Sequence, residues 1–211
     1  ITMVSADIPD LRDPLPSDAP WRVLCEVSMT REAMARELLE AALGEAFEAG
    51  LARDAVLAGS LSQAGDFWKI RESIPLSKRA YGTSVNHDIS VPVSRIPDFL
   101  DATAGAIAGI DPRAEIVAFG HVGDGNLHYS ACEPADADAG TLAANASAIT
   151  AAVHAQAMAH GGSISAEHGV GRLKRDELET LRSPAATHAM KAIKSALDPK
   201  GIFNPGRVVG R

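Results

Sequence analysis

Residues 115–132 run Glu-Ile-Val-Ala-Phe-Gly-His-Val-Gly-Asp-Gly-Asn-Leu-His-Tyr-Ser-Ala-Cys, and the fold turns on how this stretch is read. Asp124-Gly125 is a strong hairpin-turn signal. Glu115–His121 and Asn126–Cys132 therefore read as two antiparallel strands closing over residues 122–125, with His121 opposite Asn126. Side chains alternate between the faces of a strand, so His121, Asn126 and His128 share one face and Leu127 and Tyr129 the other. His121 and His128 become diagonal neighbours roughly 7–8 Å apart at Cα, near enough for two imidazoles to meet at one ion. Two histidines alone are a weak metal signal. Turn glycines with structural histidines explain the segment equally well.

Working outward, residues 87–93 (His-Asp-Ile-Ser-Val-Pro-Val) place Ile89, Val91 and Val93 in the period-2 pattern of a half-buried strand. Ser94 is the expected cap of a helix that tolerates Pro97 in its first turn and turns Ile96, Leu100, Thr103 and Ile107 inward. A helix from Thr141 to His160 presents Leu142, Ile149 and Val153. The last helix opens at Ser183-Pro184 and is expected to bury Met190, Ile193 and Leu197. Toward the N-terminus, Trp21–Ser28 reads as a strand. Thr30 is the expected cap of a helix with its stripe at Met34, Leu38, Leu39, Ala42, Leu43 and Phe47, ending at Gly50. A short strand at Asp54–Ala58 and a helix from about Ser62 follow, the helix carrying Phe67, Ile70 and Ile74 and stopping near Pro75. Strands interleaved with helices around a hairpin predict an α+β fold: an antiparallel sheet with helices packed on one face, a ferredoxin-like elaboration.

Residues 1–20 hold Pro9, Pro14, Pro16 and Pro20 among acidic residues and begin at Ile1 without Met; they read as a linker from a preceding domain, leaving 21–211 as the folded part. The 211 residues carry 20 Lys+Arg against 27 Asp+Glu, a net charge of −7, which argues against nucleic acid as the partner. No run approaches the roughly 20 apolar residues of a membrane span. Two cysteines, Cys25 and Cys132, are too few for a disulfide framework and read as structural in a reducing, cytoplasmic setting. Low aromatic content (4%) and alanine-rich stretches hint at a bacterial source.

Four segments hold residues a bland domain does not need. Beside the hairpin stands Ser163-Ile164-Ser165-Ala166-Glu167-His168-Gly169-Val170-Gly171, a carboxylate next to an imidazole between glycines. Glu167 is able to complete a His121–His128–Glu167 metal site with an open position, and His168 to act as a general base; a surface Glu with a capping His is the plain alternative. Arg71, in Phe67-Trp68-Lys69-Ile70-Arg71-Glu72, is suited to a bidentate grip on a carboxylate, although such residues are more often solvated. The tail Leu197-Asp198-Pro199-Lys200-Gly201-Ile202-Phe203-Asn204-Pro205-Gly206 reads first as a helix stop. Lys174 and Arg175 are expected on a solvated face.

Together the motifs Gly-His-Val-Gly-Asp-Gly-Asn-Leu-His at 120–128, Ser-Ala-Glu-His-Gly-Val-Gly at 165–171, Asp-Pro-Lys-Gly-Ile-Phe-Asn-Pro at 198–205 and Trp-Lys-Ile-Arg-Glu at 68–72 resemble the C-terminal domain of FAD-linked oxidases of the vanillyl-alcohol-oxidase type. The lead-in Ile8–Leu15 looks similar too. The resemblance implies a substrate (cap) domain that works with an N-terminal FAD-binding domain on a D-2-hydroxy acid of the 2-hydroxyglutarate, lactate or glycolate type. By resemblance His121, His128 and Glu167 hold a divalent metal, with zinc expected, in members that carry one. Arg71 grips the substrate carboxylate, His168 takes the hydroxyl proton, Asn126 lines the pocket, and Asn204 sits near the flavin. It also implies an electron acceptor such as an electron-transfer flavoprotein or a quinone, and leaves open a homodimer and a peripheral place at the inner membrane. Members handling 2-hydroxyglutarate often carry Lys where this chain has Asn86, a hydroxyl residue at Pro75 and Asn at Ser130. Asn86 thus stands in the substrate pocket without the cation, for which Lys78 or Arg79 is the expected substitute. A free-standing metal-binding module or metal-dependent hydrolase is the competing reading, and a purely structural covering domain a third.

Overall fold

The computed structural model describes residues 2–8, 11–15, 19–134 and 140–210. The chain divides into two units, Ile1–Ala80 and Tyr81–Arg211.

The first unit holds helices α1 (Thr2–Asp7), α2 (Glu32–Glu48) and α3 (Leu61–Ser77). α1 falls in the stretch read as a linker, where Val4 and Leu11 are buried with Ile70 of α3; Pro9 and Pro16 lie outside the described residues. The strands expected at Trp21–Ser28 and Asp54–Ala58 are not formed. Trp21 and Val23 are exposed, and β-propensity without a ladder partner is not a strand. Thr30 does not cap α2; Arg31 occupies that place without a side-chain bond. The stripe on α2 buries no residue, while Gly50, with φ +68, ends the helix region as expected. Ser60 caps α3 by accepting from the Gln63 N–H. Pro75 does not stop this helix, which runs on to Ser77, because a proline removes only one bond of the ladder.

The second unit is built on three antiparallel strands, β1 (Ser84–Ser90), β2 (Glu115–His121) and β3 (Asn126–Cys132), in the order β1-β3-β2. The hairpin bounds are those expected, with His121 opposite Asn126. Its turn, the short 3-10 segment Val122–Asp124 followed by Gly125 at φ +73, is tied by the Asn126 N–H donating to Asp124 Oδ1 (3.0 Å). One face of the sheet carries Ile89, Leu127, Tyr129 and Ala131 into a core shared with Phe99 and Ile107 of α4 (Ile96–Ala108) and Leu142, Ile149, Val153 and Ala157 of α5 (Thr141–Ala159). Helices on one face of an antiparallel sheet is the predicted arrangement.

Four details differ from expectation, the first being that β1 runs Ser84–Ser90 and not over 87–93. Residues 93–95 form a 3-10 turn, so α4 begins at Ile96 and Ser94 is not its cap. A helix not read from the sequence, α6 (Arg175–Leu181), follows the glycine loop, with Asp176 and Glu177 in its first turn where carboxylates favour the helix dipole. α7 (Pro184–Leu197) is capped by Ser183 as expected but buries nothing: Ile193 is 60% and Leu197 78% exposed. An amphipathic pattern states which face is apolar, not what covers it.

Candidate functional site

Opposite the helices, the sheet presents a polar face. The register sets Asp88 opposite His128 and His121 opposite Asn126, all pointing the same way. The loop 163–171 is laid along β1 by paired backbone bonds between Ser90 and Ser163, at 3.1 and 2.8 Å. Gly162 permits this approach, since a Cβ there would stand 2.0 Å from the Ser90 carbonyl oxygen.

Asp88, only 3% exposed, then anchors the loop. Its Oδ2 accepts from the N–H groups of Ala166 (3.2 Å), Glu167 (2.9 Å) and His168 (2.8 Å), successive amides forming an anion cradle. Burial pushes the Asp88 carboxyl up, but the N–H groups of His168, Glu167 and Ala166, with the His168 ring, outweigh it and hold the group below the usual carboxylate range. Asp88 was not among the residues singled out from sequence; an aspartate within a β-rich run carries no motif of its own.

So held, the loop delivers Glu167 and His168 to the histidines of the hairpin. His121 Nδ1 lies 3.3 Å from Glu167 Oε1, and His128 Nε2 lies 3.9 Å from Glu167 Oε2. His128 Nδ1 faces Asp88 Oδ1 at 4.0 Å, and His168 Nδ1 faces Asp88 Oδ2 at 3.8 Å. The His128 and His168 rings stack with centroids 5.8 Å apart, the His121 ring stands edge-on to His128 at 6.5 Å, and Phe119 leans on His128 at 5.0 Å. Among the described residues, Asp88, His128 and His168 make one group whose ligand atoms all lie within 4.8 Å of one another.

Two ligands about 2.0–2.1 Å from a tetrahedral ion stand about 3.4 Å apart. His121 and His128 approach different oxygens of Glu167, at 3.3 and 3.9 Å; this trio does not gather its ligand atoms within 4.8 Å as Asp88, His128 and His168 do, and imidazole and carboxylate donors together suit a divalent ion. The site also buries polar atoms that lack a hydrogen-bond partner: Asp88 Oδ1 and both amide atoms of Asn126.

The other expected site residues are distributed as follows. Asn126 is 2% exposed, beside His121 on the polar face. Asn86 lies one pleat beyond Asp88, where Ser130 Oγ donates to its Oδ1 at 2.9 Å. Arg71 is on α3 of the first unit, half-buried. Asn204 lies in the tail with φ 46, beside Ile202 and Phe203, which are 65% and 63% exposed. Asp198 shapes that tail by accepting from the N–H groups of Ile202 and Phe203, both at 3.0 Å. Lys174 and Arg175 are not on a solvated face. Lys174 is half-buried and its Nζ donates to the Ile164 carbonyl at 2.6 Å; burial lowers its pKa while the charges of Asp88 and Glu177 oppose that shift. Arg175 Nη1 donates to the Gly206 carbonyl at 3.2 Å. Of the cysteines, Cys132 is buried and Cys25 exposed.

The family described as FAD linked oxidases, C-terminal domain, matches residues 1–208. A D-2-hydroxyglutarate dehydrogenase of Stutzerimonas stutzeri is 39% identical over 199 residues, 94% of this chain and 42% of the relative. The mitochondrial D-2-hydroxyglutarate dehydrogenase of Arabidopsis thaliana is 37% identical over 201 residues, 94% of this chain and 34% of the relative. That of Danio rerio is 32% identical over 189 residues, 90% and 34%. The chain thus spans 34–42% of the length of these relatives.

Proposed function

The chain belongs to the FAD-linked oxidases, within their C-terminal domain, and from that premise we propose that it is the substrate-binding part of a flavin-dependent dehydrogenase that oxidises a D-2-hydroxy acid to the 2-oxo acid. The observation that carries this reading is the meeting of His121, His128, Glu167 and His168 around the buried Asp88. In the same proposal residues 1–20 link to a preceding FAD-binding domain and 21–211 form the substrate- and metal-binding cap.

His121, His128 and Glu167 would hold a divalent metal, preferably zinc, which when bound makes a coordinated hydroxyl more acidic. FAD, when bound, supplies the acceptor for the hydride leaving Cα. His168 receives the hydroxyl proton at Nε2, since its Nδ1 is turned toward Asp88. Arg71 takes the substrate carboxylate through its guanidinium fork. Asn126 offers the pocket an amide that has no protein partner, Asn86 borders it from β1, and Asn204 faces the flavin. A substrate with one carboxylate suits the neutral Asn86–Ser130 pair. An electron-transfer flavoprotein or quinone as acceptor, a homodimer and a cytoplasmic location complete the proposal. No helix among the described residues is long and apolar enough to cross a membrane, and the plant and animal relatives are named mitochondrial.

The test is anaerobic bleaching of the FAD-loaded full-length protein by D-2-hydroxyglutarate, D-lactate and glycolate, alongside its zinc content. We expect one acid to reduce the flavin, His168→Ala to lower the rate about 10²–10⁴-fold with zinc retained, and His121→Ala or Glu167→Ala to release zinc. No reduction by any of the three acids, with zinc content equal in all variants, would overturn the reading.

A further inference from the structure

We propose that Asp88 is the positioning residue of this site, its one buried carboxylate setting both the backbone of residues 166–168 and the nitrogen that His128 turns toward a metal. The first half stands on the hydrogen bonds alone; the second rests on the metal reading above.

The two oxygens have separate tasks. Oδ2 accepts the three N–H groups of Ala166, Glu167 and His168 at 3.2, 2.9 and 2.8 Å, so the residues that carry Glu167 and His168 are held from the floor of the sheet. Oδ1 has no hydrogen-bond partner and points at His128 Nδ1, 4.0 Å away. His128 is the Cα partner of Asp88 across the ladder, so their approach is set by strand register and not by loop conformation. A carboxylate on the Nδ1 side favours the ring proton there, which leaves the Nε2 lone pair directed at Glu167, 3.9 Å away. A bare buried carboxylate is costly; here Lys174, fixed by the Ile164 carbonyl at the start of the same loop, supplies the compensating charge.

Asparagine separates these roles from plain structure. In Asp88→Asn the side-chain oxygen is able to keep the three loop amides, and the NH₂ then faces His128. An NH₂ there requires a lone pair on Nδ1, which drives the ring proton to Nε2 and blocks the metal-facing nitrogen. Asp88→Ala removes both functions.

The experiment uses the full-length protein in two readouts: affinity for zinc alone, by chelator competition, and amide hydrogen exchange at residues 166–168 without metal. Asp88→Asn is expected to weaken zinc about 10–100-fold with protection at 166–168 retained. Asp88→Ala is expected to lose protection at 166–168 as well, while β3 stays protected; if that variant does not fold, Asp88→Asn still carries the test. Zinc affinity equal to wild type in Asp88→Asn overturns the second half and wild-type protection at 166–168 in Asp88→Ala the first, whereas no zinc uptake by the wild type removes the metal reading and the second half with it. Failure of every hydroxy acid to reduce the flavin, with both readouts as expected, would remove the proposed reaction and leave Asp88 in its role.

Discussion

Adding one methyl group at Gly125 is expected to open the hairpin that carries His121 and His128, whereas the same change two residues earlier is not. Gly125 has φ +73, and a Cβ built on it stands 2.0 Å from the Val91 carbonyl oxygen and 3.1 Å from the Val91 carbonyl carbon. These are backbone atoms, so no rotamer relieves the contact. The left-handed conformation costs a non-glycine residue about 1–2 kcal/mol. Separating the two segments also stretches the Val91 N–H to Gly125 carbonyl bond, now 3.1 Å, whose loss costs about 1 kcal/mol. The sum is about 2–3 kcal/mol, roughly 30- to 150-fold in an opening equilibrium. Gly123 has no atom within 4 Å of a Cβ and does not have a positive φ, so Gly123→Ala is expected within about 0.5 kcal/mol of wild type. Hydrogen exchange at the β3 amides of the full-length protein reads the difference directly. Equal exchange in the two variants, or exchange in Gly125→Ala within threefold of wild type, would refute the reasoning.

Tyr129 is fully buried with its hydroxyl unpartnered, and burial pushes its pKa above the ordinary range; Tyr129→Phe is therefore expected to raise stability by about 1 kcal/mol, and a lower denaturation midpoint would contradict it. Asp198 is held below the usual carboxylate range by its hydrogen bond from Lys194, with the Phe203 and Ile202 N–H groups adding to that against burial. A depressed folded value stabilises above the unfolded pKa of about 4 and ceases to do so as pH falls through the folded one. The Ile202 and Phe203 amides should then lose protection and approach their intrinsic exchange rates as pH falls below about 4 and through the depressed folded value, and Asp198→Asn should show the same release at neutral pH; protection independent of both would refute it. Lys174→Met keeps the stem but removes the charge beside Asp88 and the bond to Ile164, and should cost about 1–3 kcal/mol; an unchanged unfolding midpoint would show that Asp88 needs no compensation.

The hairpin was legible because its determinants are local. Asp124-Gly125 fixes a turn, the turn fixes a register, and the register places His121, Asn126 and His128 on one face. The same local logic set the burial of Leu142, Ile149 and Val153 on α5 and the stop at Gly50. It failed where a segment needs a distant partner. Trp21–Ser28 has strand composition and no ladder, and α7 has an apolar face with Ile193 and Leu197 exposed. α6 escaped notice because its seven residues are too short for a periodic pattern, although Asp176 and Glu177 at its start were a usable sign.

By itself the sequence determined the residue types of the site and the family to which they point, since motif spacing and strand alternation are properties of neighbours along the chain. Only the tertiary structure decided what holds those residues together. Asp88 reaches its three loop amides across 78 to 80 residues of chain, and Lys174 turns inward toward a charge it never meets in sequence. A buried carboxylate is defined by what surrounds it, and those surroundings exist only once the chain has closed around it.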